Sequence, residues 1–392
     1  MTTQKRPVGP ALLVLAGALS LAAAMGIGRF AFTPLLPLMS GEGLLDVAQG
    51  GWVAAANYVG YLVGALTAAR IPLRAGALAV MALLATAALT AAMAWPLPAM
   101  WLPLRFLAGA ASAWVFVATS VWCLGALAQQ GASRLSGWVY AGVGIGIALA
   151  GLYCLLAAAV GVPSGPLWLQ LGALGLLLAV PAFWVIARLP PATEATKSVA
   201  AGGSHPSRVG TRGFVISYGI MGFGYILPAT FLPVLARSVV ADPRVFGLAW
   251  PVFGAMAALS TLLAARLLQG STRLKTWAAC QLLMGVGVLL PAIWTNLWAI
   301  ATSALLVGGT FMVITLAGVQ QMRSQAPAQA ARLVGRITAA FALGQIAGPV
   351  VSATLLHIGP QGLALALGMG AASLFATGGW LWRTTSQQPH RR

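Results

Sequence analysis

The chain has 392 residues, of which 60% are hydrophobic and only 7% charged. A soluble domain carries about 25% charged residues, so a water-covered globule is excluded, and the deficit runs along the whole length. The net charge of +18 does not point to nucleic acid, because the cations collect in short segments between apolar runs, as Lys and Arg do on the cytoplasmic side of a membrane.

A hydrocarbon core of about 30 Å takes about 20 apolar residues per helix. Runs of that kind, bounded by charges, Pro or Gly, predict spans at Ala11–Met39, Gly51–Ala69, Ala75–Ala94, Ala99–Leu124, Leu135–Val160 and Pro166–Ala187. A polar stretch, Leu189–Arg212, follows. Further spans are predicted at Gly213–Ala236, Phe246–Ala265, Thr276–Trp294, Leu297–Gln320, Leu333–Leu356 and Gln361–Trp382. Lys5 and Arg6 precede the first run as in a signal peptide, but that run is too long and its second half recurs later, so it is read as a helix.

With the N-terminus inside, Arg237 and Arg244 are the cations placed in outer connections, and Arg29 and Arg105 fall within spans. All other Lys and Arg lie on inner connections or the tails, while Glu42, Asp46 and Asp242 lie outside. The expected location is therefore a bacterial inner membrane, multi-pass, with both termini cytoplasmic.

An internal repeat divides the chain. The run beginning at Met25, MGIGRFAFTPLLP, returns at Met221 as MGFGYILPATFLP, and LTAAR ending at Arg70 returns as LLAAR ending at Arg266, each 196 residues later. RLSG at Arg134 returns as RLVG at Arg332. The expectation is an all-α membrane protein of twelve transmembrane helices in two parallel six-helix pseudo-repeats: residues 1–188, a cytoplasmic linker at 189–212, and residues 213–392. Parallel halves of this kind characterise the major facilitator fold.

The segment Met25–Met39, MGIGRFAFTPLLPLM, resembles the first-helix signature of the YbfB/YjiJ family within the major facilitator superfamily, and Gly344–Pro349, GQIAGP, resembles a second signature of it. The resemblance covers essentially the whole chain. It implies a twelve-helix transporter fold and names no substrate. The superfamily also carries a Gly-x-Leu-x-Asp-Arg type motif between helices two and three. Here Gly64, Leu66 and Arg70 remain, but Ala68 stands at the acid position, so an Asp-based latch is not expected there.

Within the spans, Arg29 stands out. An Arg near the bilayer centre costs about 2.5–3.5 kcal/mol on insertion scales and faces the protein interior or a wet cavity. It contacts ligand or gates the path, or else donates to carbonyls freed by Pro34 or Pro37. The repeat places Tyr225 at the equivalent position. Arg105 either snorkels to the outer surface or lines the same cavity, and the resemblance favours the cavity, since superfamily members often carry an Arg near this point of helix four. Asn57 and Tyr61, four apart, share a helix face, with Asn57 facing either the cavity or another helix. Thr338, Gln345 and Ser352 form a polar stripe, and Gln345 is the ligand or gating contact chosen from it. Gly60 and Gly64, and the run Gly142, Gly144, Gly146, read as close helix packing.

No Asp or Glu falls inside a predicted span, so the buried carboxylate that many proton-coupled transporters use is missing. His357, at the outer end of the eleventh span, is the titratable group nearest a span. Cys123, Cys154 and Cys280 read as small hydrophobic residues. No catalytic constellation, metal motif or Walker-type loop occurs, so neither an enzyme nor a cofactor is expected. The expected partners are the lipid bilayer and a small-molecule substrate, with no nucleic acid, and the protein is expected as a monomer. The function read from these residues is secondary active transport of a small organic solute, anionic or carboxylate-bearing. The alternatives are an efflux pump for amphiphilic drugs and a transporter-like sensor or scaffold.

Overall fold

The computed structural model describes residues 8–189, 211–239, 247–267, 273–358 and 361–386. Residues 190–210 of the linker, Asp242 and the side chain of His357 lie outside the described residues. The described residues form twelve helices: α1 (Pro10–Gly41), α2 (Val47–Thr67), α3 (Ala75–Ala92), α4 (Pro98–Gln129), α5 (Ser136–Ala159), α6 (Ser164–Ile186), α7 (Thr211–Val239), α8 (Ala249–Leu267), α9 (Arg273–Ile293), α10 (Leu297–Gln325), α11 (Ala330–Ile358) and α12 (Gly362–Ser386). In hydrocarbon every backbone polar group must be satisfied within the protein, which is why apolar runs of this length close into helices. Among the described residues, ten helical segments are long and apolar enough to cross a membrane.

The helix ends are specified locally. Asp46 accepts from the Gln49 amide at 2.7 Å while the Gln49 side chain returns to the Asp46 amide, a capping box that starts α2. Glu42 accepts from the amide and hydroxyl of Ser164, placing a carboxylate at the positive end of α6. Gly43, Gly131 and Gly161 follow α1, α4 and α5 with positive φ, and the residue after each donates back into the helix as a Schellman motif requires. Both acids of the connection between α1 and α2 thus hold helix ends.

The packing repeats with the sequence. In the first half α1 packs on α5 and α6, α2 on α4, and α3 on α4 and α6. In the second half α7 packs on α11 and α12, α8 on α10, and α9 on α10 and α12. Adding six to each helix number converts one set into the other, the spatial counterpart of the internal repeat. The halves meet through α5 against α8 and α2 against α11, which the same operation exchanges.

Glycines set the closeness of these contacts. A Cβ on Gly60 would stand 1.8 Å from the Phe106 carbonyl oxygen, and one on Gly109 2.1 Å from that of Asn57, so α2 and α4 touch backbone to backbone. In α5, Gly142 and Gly146 press on Ala18 and Ala22 of α1, whereas Gly144, on the opposite face, presses on Gly254 and Ala258 of α8. Outward-facing Leu, Val and Ile cover the bundle, and exposed Trp rings collect near both ends: Trp52, Trp95, Trp294 and Trp298 at one, Trp138 and Trp184 at the other. That is the arrangement of aromatic belts at the two interfaces of a bilayer.

Candidate functional site

The path of α1 creates the site. Its first section is α-helical from Pro10 to Leu21, its second is π-helical from Ala22 to Arg29, and α-helix resumes from Phe32 to Gly41. The Phe30 amide reaches back five residues to the Met25 carbonyl at 3.2 Å. Pro34 supplies no amide proton to continue the ladder across the break. A helix end so interrupted leaves carbonyls in need of donors.

Arg105 supplies them. From α4 its Nη1 donates to the Gly28 carbonyl at 3.0 Å and its Nη2 to the Arg29 carbonyl at 2.8 Å, and the guanidinium lies 5.1 Å from the Phe32 ring centroid. Arg105 is 2% exposed, so it does not snorkel. The service to freed carbonyls that the sequence allowed for Arg29 is performed by Arg105. Asn57 takes the interhelical alternative: its Nδ2 donates to the Arg105 carbonyl at 3.0 Å, tying α2 to α4.

We expect Arg105→Lys to lower the melting temperature of the purified protein while altering ligand affinity little. Lysine cannot fork to two carbonyls, and each buried carbonyl left without a donor costs about 1–3 kcal/mol. Parallel melting and binding curves check this. A large loss of affinity at unchanged stability would return Arg105 to the ligand path.

Arg29 is left free for another task. It too is 2% exposed, and its Nη2 donates to Oε1 of Gln345 on α11, joining the two halves. Its guanidinium carbon lies 3.5 Å from the Tyr61 ring centroid, with Phe30 at 5.4 Å and Tyr58 at 5.9 Å. Among the described residues, its Nε and Nη1 have no acceptor, and Nε2 of Gln345 and the Tyr225 hydroxyl have no partner. Tyr225 is fully buried, stacked on Phe311 at 5.0 Å between centroids, and lies within electrostatic reach of Arg29. Thr338 and Ser352, the other members of the stripe on α11, bond back to their own helix. Gln345 alone of the three makes the crossing to Arg29.

Tyr61 and Phe30, both touching the guanidinium, help line a cavity of about 20 Å³ whose further wall includes Phe116, Tyr218, Phe311 and Phe341. This space holds about one water molecule, and it adjoins Arg29 through Tyr61 and Phe30 without being lined by the guanidinium itself. At the end of the bundle that carries the α4–α5 and α10–α11 connections, Arg323 of α10 donates to the Ser120 carbonyl of α4, and Ser120 in turn meets the Tyr140 hydroxyl at 2.7 Å. A Cβ on Gly335 of α11 would stand 2.7 Å from the Ala65 carbonyl oxygen of α2. The halves are therefore closed on one another at that end.

The structure thus gathers Arg29, Tyr61 and Gln345 into one contact group with Tyr225 nearby, and assigns Arg105 and Asn57 to the backbone beneath it. Sequence reading passed over Phe30 and Arg323, and noted Tyr58 beside Asn57 and Tyr61 without choosing it as a site residue. Phe30 and Tyr58 adjoin chosen residues and carried a legible aromatic signal, whereas Arg323 was counted with the inner connections because the tenth span was ended at Gln320, five residues short of the helix.

No curated protein matches the chain. The crystal structure of the human organic anion transporter MFSD10 (TETRAN) superposes with a TM-score of 0.70 at 15% identity, covering 95% of this chain and 98% of that one. At that identity the likeness concerns the fold. A family model described as "Uncharacterised MFS-type transporter YbfB" matches residues 21–381. Nearly the whole twelve-helix chain lies within that match, and the protein belongs to the YbfB-type family of major facilitator membrane transporters.

Proposed function

We propose that the protein is a secondary transporter that moves a small organic anion, held by its carboxylate, across a bacterial inner membrane by alternating access. One observation carries the reading. Arg29 is a buried guanidinium at the junction of the halves, two of its N–H groups lack acceptors, and no carboxylate stands in the described spans to balance it. A carboxylate from the ligand supplies both the charge and the acceptors, in the bidentate geometry that favours Arg.

The residues divide by role. Arg29 binds the anion, Tyr61 supports the guanidinium through its ring face, and Gln345 couples occupancy to the second half. Tyr225 presents a hydroxyl from α7. The halves, residues 1–188 and 213–392, swing about the contacts of α5 with α8 and α2 with α11. The contact of Arg323 with Ser120 serves as an inner latch in place of the acid missing at Ala68. Support for cytoplasmic termini comes from the placement of Lys and Arg. The MFSD10 likeness supports the fold, and that protein's anion cargo is consistent with the reading.

Counterflow in proteoliposomes tests it. Vesicles loaded with benzoate, lactate, succinate or glutamate and diluted into a trace of the labelled compound should accumulate at least one of them above protein-free vesicles. Movement of cationic dyes alone would favour drug efflux instead. Absence of any flux, with the halves locked in one state by cross-linking, would favour the sensor.

A further inference from the structure

The ligand's charge and shape can be narrowed, resting on the reading of Arg29 as the anion site. The groups without partners there are Nε and Nη1 of Arg29, Nε2 of Gln345 and the hydroxyl of Tyr225, on side chains at most 2% exposed. The nitrogens are donors only, and the hydroxyl is able to donate as well. A ligand facing them must bring acceptors. The second buried arginine, Arg105, is committed to two carbonyls, so Arg29 is the one guanidinium with N–H groups to spare for a ligand. A dianion would find one guanidinium to pair with and would bury its second carboxylate without a direct ionic partner, which is costly. A zwitterion would bury its ammonium unpaired, because no carboxylate occurs in the described spans.

Beyond the guanidinium the cavity wall includes the rings of Phe30, Phe116, Phe311 and Phe341, together with the apolar Met25, Met312 and Val143. Of its four hydroxyl-bearing side chains, Thr315 and Thr338 donate to carbonyls of their own helices at 2.8 Å, and Tyr61 and Tyr218 are the other two. A sugar or a hydroxy acid, which needs a dense set of polar partners, finds few there. A flat apolar body finds rings on several sides, and aromatic pairs prefer the offset and edge-on geometries such walls allow. The rings already meet in this way: Phe253 and Phe311 stack at 5.3 Å, and Tyr225 and Phe341 lie 5.9 Å apart.

We infer that the ligand of this site is an aromatic monocarboxylate, its carboxylate on Arg29 and its ring among the phenylalanines of the central cavity. The ring enters when the halves part, since the closed cavity has room for little more than water.

Thermal unfolding of the full-length protein in detergent tests the class with five probes of related size: benzoate, benzamide, succinate, phenylalanine and benzylamine. Benzoate should raise the melting temperature in a dose-dependent way, because a ligand of the folded state stabilises it by mass action. Benzamide, matched in shape but uncharged, should not do so at the same concentration, which also controls for partition into the micelle. Arg29→Gln should remove the benzoate shift, and Phe341→Leu, which keeps the site filled, should raise the benzoate Kd at least tenfold. If Arg29→Gln does not give a monodisperse protein, Arg29→Lys replaces it and should weaken benzoate without abolishing it. An Arg29-dependent shift with succinate equal to that with benzoate would overturn the aromatic class, and one with phenylalanine would overturn the restriction to a ligand without an ammonium; either leaves the anion site standing. A shift with benzylamine alone would overturn both, and no shift with any probe would overturn the inference.

Discussion

Arg29→Gln should abolish anion transport and at the same time raise the melting temperature of the ligand-free protein. The two effects have opposite signs because the residue serves the ligand at the expense of the empty fold. Losing a charged bidentate partner for a carboxylate removes about 3 kcal/mol, which is on the order of a 100-fold loss in affinity. The empty protein gains, because a buried guanidinium whose Nε and Nη1 lack acceptors is exchanged for a neutral amide. Arg29→Lys should retain part of the transport, since the charge survives but the fork does not. Counterflow rates and melting curves on the same preparations decide the matter. A fall in melting temperature of many degrees on Arg29→Gln would mark Arg29 as a structural residue and remove the basis for the anion site.

The second large effect is expected at Gly144. Its neighbours across the half-to-half contact are backbone atoms, with the Ala258 nitrogen 2.4 Å and the Gly254 oxygen 2.6 Å from where a Cβ would stand. No side-chain rotation relieves that approach, so Gly144→Leu must push α5 and α8 apart. Overpacking of this kind costs about 1–3 kcal/mol in a well-packed core. The cost here falls on a surface that two moving bodies share, so transport should be lost while each half stays folded. Gly142→Leu provides the contrast. It strikes α1 within the first half, at 2.0 Å from the Ala18 oxygen, and should lower the yield of folded protein. Gly175→Ala in α6, where nothing lies within 4 Å, serves as the neutral control. Folded yield from size exclusion and flux from counterflow separate the three. Retention of full transport in Gly144→Leu would mean that α5 and α8 do not need this approach during the cycle.

Much of the architecture was open to reading because a bilayer imposes it. Spans, the parallel repeat and the close packing at Gly60, Gly64 and the Gly142–Gly146 run follow from length, apolarity and spacing, and the structure carries each of them. The site was legible as a set of rare polar residues in apolar helices, but their division of labour was not. Arg29 and Arg105 look alike in sequence. They differ because the break in α1 turns two carbonyls toward α4 and leaves the Arg29 side chain aimed at α11. That break is a matter of helix winding, and Pro34 and Pro37 signal irregularity without stating its form. Helix rotation, which decides whether Gln345 or Thr338 crosses to the other half, has no local signature in a helix that is apolar nearly all round.

The π-helical section of α1 has a bearing on how the chain is indexed. An α-helix turns about 100° per residue, and a π turn takes in surplus residue, so the sections of α1 before and after it are out of phase with each other. The same letters wound throughout as α-helix would present position 29 at a different azimuth, away from Tyr61 and Gln345. The aim of the guanidinium is thus stored as phase, in the winding of Ala22–Arg29 and in the two hydrogen bonds from Arg105 that hold it.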